Sequence, residues 1–230
     1  MTRLSPRLQS LLEQALSFFV LAVLVFYTYV LFAEAPYAGF EWYAKGGKLF
    51  GTFTPSALQP GDIIIQIGSI SIAELLEDVR QTVFDDVQPG DKTPMVVIRN
   101  GQRITISYDF PGIPQNEFLN RLSSQWWLAF VFWTAGQITL LALRPKDTRW
   151  RLFVAFNLLT AVCIATSTVS HWRLRESSIV LRMGIWLSMP VYWHLHWVIP
   201  KPLASLPRVI WPAAYLLGAA LALAEFFQVT

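Results

Sequence analysis

Ala57-Leu58-Gln59-Pro60-Gly61-Asp62, followed by Ile63-Ile64-Ile65-Gln66-Ile67, opens the one long segment of this chain that reads as a water-soluble β-rich domain, Ala57 to Asp109. Pro60-Gly61 is a turn signal, and the isoleucine-rich run behind it suits a short, well-buried strand. Ser71-Ile72-Ala73-Glu74 is a capping-box pattern, with Ser71 accepting from the third helical amide and Glu74 reaching back. Ile72, Leu75, Leu76, Val79 and Val83 then fall at helical spacing on one face. Pro89-Gly90-Asp91 is a second turn. Met95 to Arg99 reads as a strand, Asn100-Gly101 is a two-residue hairpin signal, and Ile104, Ile106 and Tyr108 alternate with Arg103, Thr105 and Ser107. Everything on either side of this segment reads as membrane.

The order of strand, capped helix, Pro-Gly-Asp turn and Asn-Gly hairpin resembles the bacterial PDZ domain. Two pieces carry the resemblance: Leu58-Gln59-Pro60-Gly61-Asp62-Ile63-Ile64, and Pro89-Gly90-Asp91 followed by Val96-Val97-Ile98-Arg99-Asn100-Gly101. Gly68-Ser69-Ile70 stands where the family has Asn-Gly, and Asp85-Asp86-Val87 looks like an insertion. The resemblance implies a domain that takes an extended peptide, often a C-terminus, as an added strand on a sheet edge. The loop that holds the peptide carboxylate lies upstream of the first Pro-Gly-Asp turn in that family. Tyr37, Ala38, Gly39 and Phe40 are its candidates here. Gly39 would let backbone amides converge on the carboxylate and Phe40 would line the first side-chain pocket. A glycine serves a tight turn equally well, with Phe40 packed in the core, so both roles stay open.

Composition bounds the rest. The chain of 230 residues is 54% hydrophobic and 14% charged, with mean hydropathy +0.43, ten Trp and sixteen Phe, a balance that belongs to membrane spans with aromatic belts. The net charge of +3 is unevenly spread: eleven acidic and seven basic residues lie between Glu34 and Arg121, leaving +7 on the remainder. That is a membrane-protein asymmetry, and no Lys/Arg run with interleaved aromatics marks a nucleic-acid surface. Cys163 is the single cysteine, so no intrachain disulfide and no cysteine metal cluster can form.

Outside the β-rich segment the chain reads as spans. Arg3 and Arg7 precede an apolar run from Ala15 to Ala33, near the ~20 residues that cross a bilayer. Ala33-Glu34-Ala35 has the form of a signal-peptidase site, but the run is longer than the ~7–15 residues of a signal peptide and Pro36 would follow the cut, so an uncleaved signal anchor is expected. Residues 1–35 are thus the anchor, 36–114 the PDZ-like domain, and 115–230 a four-helix region with spans near 125–143, 152–170, 179–199 and 209–227. Gly46-Gly47 is a plausible turn between two short strands within 36–54. Gln115 to Ser124 is a short polar approach to the membrane.

Orientation follows from the loops. Arg144, Lys146, Arg149 and Arg151 crowd one short connection, and with Arg3 and Arg7 they belong in the cytoplasm. The PDZ-like domain is then extracytoplasmic, and Lys201 and Arg208 return inside. Arg173 and Arg175 fall on the outer side against the rule. No polar tail follows the last span before Thr230, so the chain is expected to be part of a longer protein. This layout is similar to the membrane input region of some bacterial sensor histidine kinases.

Candidate chemistry is sparse. His194 and His196 point about 200° apart on a helix, so an interfacial belt or helix packing is expected over a shared metal, haem or quinone. Gln137 and Asn157 suit hydrogen bonds between helices, and Arg182 and Glu225 lie where side chains snorkel. Ala161, Ala165, Gly218 and Ala222 offer close helix contacts. Asp85 and Asp86 are too few ligands for calcium. There is no His-Glu-x-x-His, no Gly-x-Ser-x-Gly and no P-loop, so no enzyme activity and no cofactor are expected.

These readings combine into a multi-span α-helical membrane protein with one extracytoplasmic α+β PDZ-like domain, in a bacterial inner (cytoplasmic) membrane. The expected function is a sensor or input module that binds a peptide or protein C-terminus and signals through the helices to an output domain. The alternative is a non-signalling adaptor that tethers a protein partner. The expected partners are the lipid bilayer, that peptide or protein, and a second copy in a homodimer, with no nucleic acid.

Overall fold

The computed structural model describes residues 5–42, 47–54, 56–85, 87–200 and 206–228. Arg3, Gly46, Asp86, Lys201 and Thr230 lie outside them. The chain divides into two compact units. One comprises residues 1–29, 125–171 and 177–230, and the other Val30–Ser124 with Trp172–Glu176.

The second unit begins with a π-helical turn, Val30–Glu34, that continues the first helix, α1 (Pro6–Tyr29). Strands β1 (Phe40–Trp42) and β2 (Leu49–Thr52) form an antiparallel pair. Strands β3 (Ile63–Ile67), β4 (Ile70–Ser71), β5 (Lys92–Arg99) and β6 (Gln102–Asp109) form an antiparallel sheet in the order β4-β3-β5-β6. Gly68 (φ +59°) turns β3 into β4, and Asn100-Gly101, both left-handed, turn β5 into β6. Alternation buries Met95, Val97 and Tyr108, and an irregularity between Ile64 and Gln66 lets Ile64 and Ile67, three apart, both be buried, with Leu49, Leu58 and Phe110 closing the core.

Helix α2 (Ile72–Glu77) starts as its sequence demands: Ser71 Oγ accepts from the Glu74 amide at 3.2 Å, and Glu74 Oε2 accepts from the Ser71 amide at 2.8 Å. These bonds also hold the Glu74 carboxyl below its usual range. The helix stops sooner than its apolar spacing suggests. Asp78 adopts an extended backbone and its Oδ1 accepts from the Arg80 amide, so Val79 and Val83 lie beyond the last turn. Strand β5 begins three residues earlier than Met95. Pro94 hides that start, and it lies just past Met95, the last residue paired with β3. Residues 115–123, expected as a polar approach, form helix α3 (Gln115–Ser123), which exposes Phe118, Leu119 and Leu122. The compact unit is therefore wider than 36–114.

The first unit is helical: α1, α4 (Trp126–Ala142), α5 (Thr148–Ser167), α6 (Ser177–Val198) and α7 (Ile210–Phe227). Each of α4, α5 and α6 packs on its successor, and α1 lies against α4 and α5. Asp147 starts α5 by accepting from the Trp150 amide at 2.9 Å. A glycine marks the close approach in each successive pair. A Cβ on Gly136 would lie 3.3 Å from Asn157, on Gly184 2.9 Å from Cys163 Sγ, and on Gly218 2.8 Å from the Trp186 carbonyl. Ala161, Ala165 and Ala222 are buried within the same helices.

Among the described residues three helices are long and apolar enough to cross a membrane: Arg7–Glu34, Thr148–Ser167 and Ile210–Phe227. Helix α4, at 17 residues, and α6, which carries Arg182, His194 and His196, do not match them in length and hydropathy together. The protein is thus mainly helical, with a small sheet region and three helices able by length and composition to span a bilayer.

Candidate functional site

Tyr37–Phe40 leads from Pro36 into β1. Gly39 has φ +70°, and a Cβ there would sit 2.5 Å from Thr54 Oγ1 and 2.9 Å from both the Tyr108 hydroxyl and Pro111. Only glycine fits. The Gly39 carbonyl accepts from the Phe53 amide at 2.8 Å, and the Ala38 carbonyl accepts from the Tyr108 hydroxyl. The amides of Ala38 and Gly39 have no acceptor among the described residues. Phe40 is 6% exposed and packs edge-on to Tyr108, with ring centroids 5.2 Å apart, so it belongs to the core. Burial pushes the Tyr108 phenol up, and burial followed by the charge of Glu117 does the same to Tyr37.

Tyr37 faces a cavity of about 170 Å³ lined also by Pro36, Phe84, Pro89, Phe110 and Leu174, with Glu34 and Arg175 on its wall. That is below the ~300–1,000 Å³ of small-molecule sites and suits a side chain rather than a whole ligand. The loop thus divides: Tyr37 lines a cavity, Ala38 and Gly39 present amides, and Phe40 supports them from inside. A valine at Gly39 would disturb Thr54 and Tyr108 as well as any ligand, so that position cannot report binding alone.

Two identical tetrapeptides set two turns of the sheet unit, Gln59-Pro60-Gly61-Asp62 and Gln88-Pro89-Gly90-Asp91. In each, the Asp amide donates to the Gln carbonyl and the Asp carboxylate accepts from the Gln amide, at 2.8 Å in the first and 2.7 Å in the second. Gly61 and Gly90 carry φ of +94° and +89°, as the third residue of a type II turn requires. The two differ in burial. Asp91 is exposed, whereas Asp62 is 2% exposed and bound by Arg99 through Nε at 2.8 Å and Nη2 at 2.7 Å. The Arg99 bond, opposed by burial and aided by the Gln59 amide, holds the Asp62 carboxyl below its usual range.

The segment Trp172–Glu176 carries a cluster that spacing could not reveal. Arg173 Nη1 donates to the carbonyls of Leu75 and Asp78 at the end of α2, where the Asp78 carbonyl also accepts from the Gln81 amide at 3.3 Å. Thr82 donates to the Trp172 carbonyl, Arg175 pairs with Glu34 at 2.8 Å, and Arg80 pairs with Glu176 at 3.3 Å. Arg121 of α3 is 5% exposed. It donates to the carbonyls of Leu31, Ala35 and Pro36 at 2.7–2.9 Å and to Glu117 at 2.9 Å, and lies over the Trp172 ring. It thereby satisfies the orphan carbonyls where the π-helical turn ends.

In the helical unit the polar residues find specific neighbours. Gln137 accepts from Ser17 Oγ at 2.6 Å and donates to Gln14 at 3.0 Å, joining α4 to α1. Asn157, expected to bridge helices, donates to the Phe153 carbonyl of its own helix while its Cβ fills the space at Gly136. Arg182 and Glu225 pair with each other at 3.2 Å, with Trp186 also donating to Glu225, rather than each reaching outward alone. His194 stacks on Trp211 at 4.0 Å and meets the Tyr215 hydroxyl at 3.1 Å, while His196 turns to Tyr192. Among the described residues no three His, Cys, Asp or Glu side chains gather as a metal site.

No protein-family profile, no curated protein and no solved structure matches this chain.

Proposed function

We propose that the chain is a five-span membrane sensor or input module. Its PDZ-like unit, outside the cytoplasm, takes a peptide or protein C-terminus, and the helices pass that event to an output domain. The observation that carries the ligand class is the pair of unclaimed amides at Ala38 and Gly39, directly before β1. Successive backbone N–H groups without an acceptor suit an anion. Among the described residues β1 pairs only with β2, which leaves its other edge for an added strand, and the cavity at Tyr37 is sized for a side chain. The four-stranded sheet, with α2 between β4 and β5, supports the PDZ-like reading. Signalling is supported by connectivity: the sheet unit joins the helical unit after α1, before α4, after α5 and before α6.

The test alters the ligand and leaves the fold intact. Peptides selected by the full chain from a C-terminal library should bind at least about tenfold more weakly once their carboxylate is amidated, because a charge-assisted hydrogen bond contributes about 1.5–3 kcal/mol. Equal binding of acid and amide removes the carboxylate role, and a library that yields no binder removes the ligand reading.

The orientation has its own support. Arg173 and Arg175, the two cations that offend the positive-inside pattern, are held by helix carbonyls and by Glu34 rather than offered to the bilayer surface. In a Cys163→Ala background, cysteines at Ser56 and Thr148, both exposed, should label from opposite sides of intact cells, Ser56 from outside. Labelling of both from one side overturns the orientation.

A further inference from the structure

Helix α1 presents Gln9, Leu12, Glu13 and Leu16 at one-turn spacing towards the first half of α5, and Leu140 of α4 lies at the floor. The groove between them has a volume of about 410 Å³, within the ~300–1,000 Å³ of small-molecule sites. Leu12 and Leu16 at its mouth are 53% and 57% exposed, while Leu140 and Leu158 deep inside are buried. Its lining is apolar along the length and charged at one end only.

The charges at that end do not cancel. Lys146 pairs with Glu13 at 2.6 Å and sits 4.7 Å above the Trp150 ring, so the one acidic side chain in the groove is neutralised within the fold. The Asp147 carboxylate accepts from the Trp150 amide. Arg151 lines the groove, and Arg144 and Arg149 stand exposed on the same connection. Among the described residues none of these three arginines has a carboxylate partner, so the end carries a surplus of positive charge.

We infer that this groove is a binding site for an anionic glycerophospholipid, with one acyl chain between α1 and α5 and the phosphate against Arg151. The inference rests on the reading of these helices as membrane spans. An apolar slot that ends in unpaired cations matches the polarity of such a lipid, since basic pockets at the ends of spans attract anionic headgroups. A helix from a second copy would fill the apolar length but leave Arg151 without a counter-charge.

The test is retention of lipid by the purified full chain in detergent, read by native mass spectrometry. Phosphatidylglycerol and phosphatidylcholine with the same acyl chains are supplied at equal concentration. Phosphatidylglycerol should be retained with at least about fivefold higher apparent affinity, the effect of one cation near an anionic headgroup. Arg151→Gln should abolish that preference, and Leu16→Trp, which narrows the mouth, should lower retention of both lipids. Equal retention of the two lipids, a preference that survives Arg151→Gln, or displacement by glycerol 3-phosphate at matching concentration overturns the lipid site. Dimerisation that Leu16→Trp abolishes, with no lipid retained, assigns the groove to a second copy. A chain that leaves cell membranes without detergent overturns the membrane reading itself, which separates the two failures.

Discussion

Replacing Arg121 with methionine is expected to destabilise the sheet unit by about 3–5 kcal/mol, the usual loss when one partner of a buried charged network is removed. Methionine preserves much of the aliphatic stem, so the loss isolates the guanidinium. Three carbonyls, those of Leu31, Ala35 and Pro36, would lose their donor at once, and Glu117 would lose its counter-charge. An unsatisfied buried group costs about 1–3 kcal/mol, so even partial rescue by water leaves a large deficit. The unit has the size for which 1 kcal/mol moves the midpoint by roughly 4–8 °C, so a drop of more than about 10 °C is expected in thermal unfolding of the full chain. Arg121→Lys should recover part of it, since an ammonium donates to the carbonyls but cannot reproduce the fork. A midpoint within a few degrees of wild type would show that water already serves those carbonyls.

Asp62→Ala is expected to cost about 1.5–3 kcal/mol, the scale of charge-assisted hydrogen bonds, because it takes the carboxylate from the part-exposed Arg99 guanidinium and frees the Gln59 amide. The double variant Asp62→Ala, Arg99→Met should be less destabilised than the single one, as removal of both partners leaves no uncompensated charge. Asp91→Ala, in the identical but exposed turn, should cost only about 0.5–1.5 kcal/mol, one ordinary hydrogen bond. The pair also gives the unit an acid limit. The Asp62 carboxyl titrates lower folded than unfolded, so the unfolded chain binds the proton first. Its stabilisation is complete above the ordinary carboxyl value of 3.8 and fades as pH falls through the lower folded value. Unfolding midpoints measured from pH 7 to pH 2 should show this loss in wild type, and a smaller one in Asp62→Ala. Equal slopes would remove Asp62 as its source.

What the sequence made legible is what short-range chemistry decides. The capping box at Ser71, the left-handed pair at Asn100-Gly101, and the alternation through Tyr108 each need only neighbours within a few positions, and each is present in the structure. The early end of α2 is set by Asp78, whose carboxylate accepts from the Arg80 amide, a local stop that the apolar spacing of Val79 and Val83 masked. The Arg173 that caps its carbonyls stands about a hundred positions away. Arg121 read as one more polar residue of a short linker, since nothing nearby in sequence announces three carbonyls from the far side of the sheet segment. The candidate loop was legible by position, yet its division of labour was not. Whether Phe40 faces in or out depends on Tyr108, 68 residues later, and periodicity carries no information across that distance.

The five residues from Trp172 to Glu176 also impose an order on biosynthesis. The rest of their unit has been synthesised by Ser124, and about fifty residues must follow before the segment exists. At ~5–20 residues per second, that interval is about 2–10 s. Throughout it the carbonyls of Leu75 and Asp78 wait without Arg173, and Glu34 and Arg80 wait without Arg175 and Glu176. The nascent sheet must hold its shape alone until α5 has been made, so the end of α2 is the last part of the unit to set.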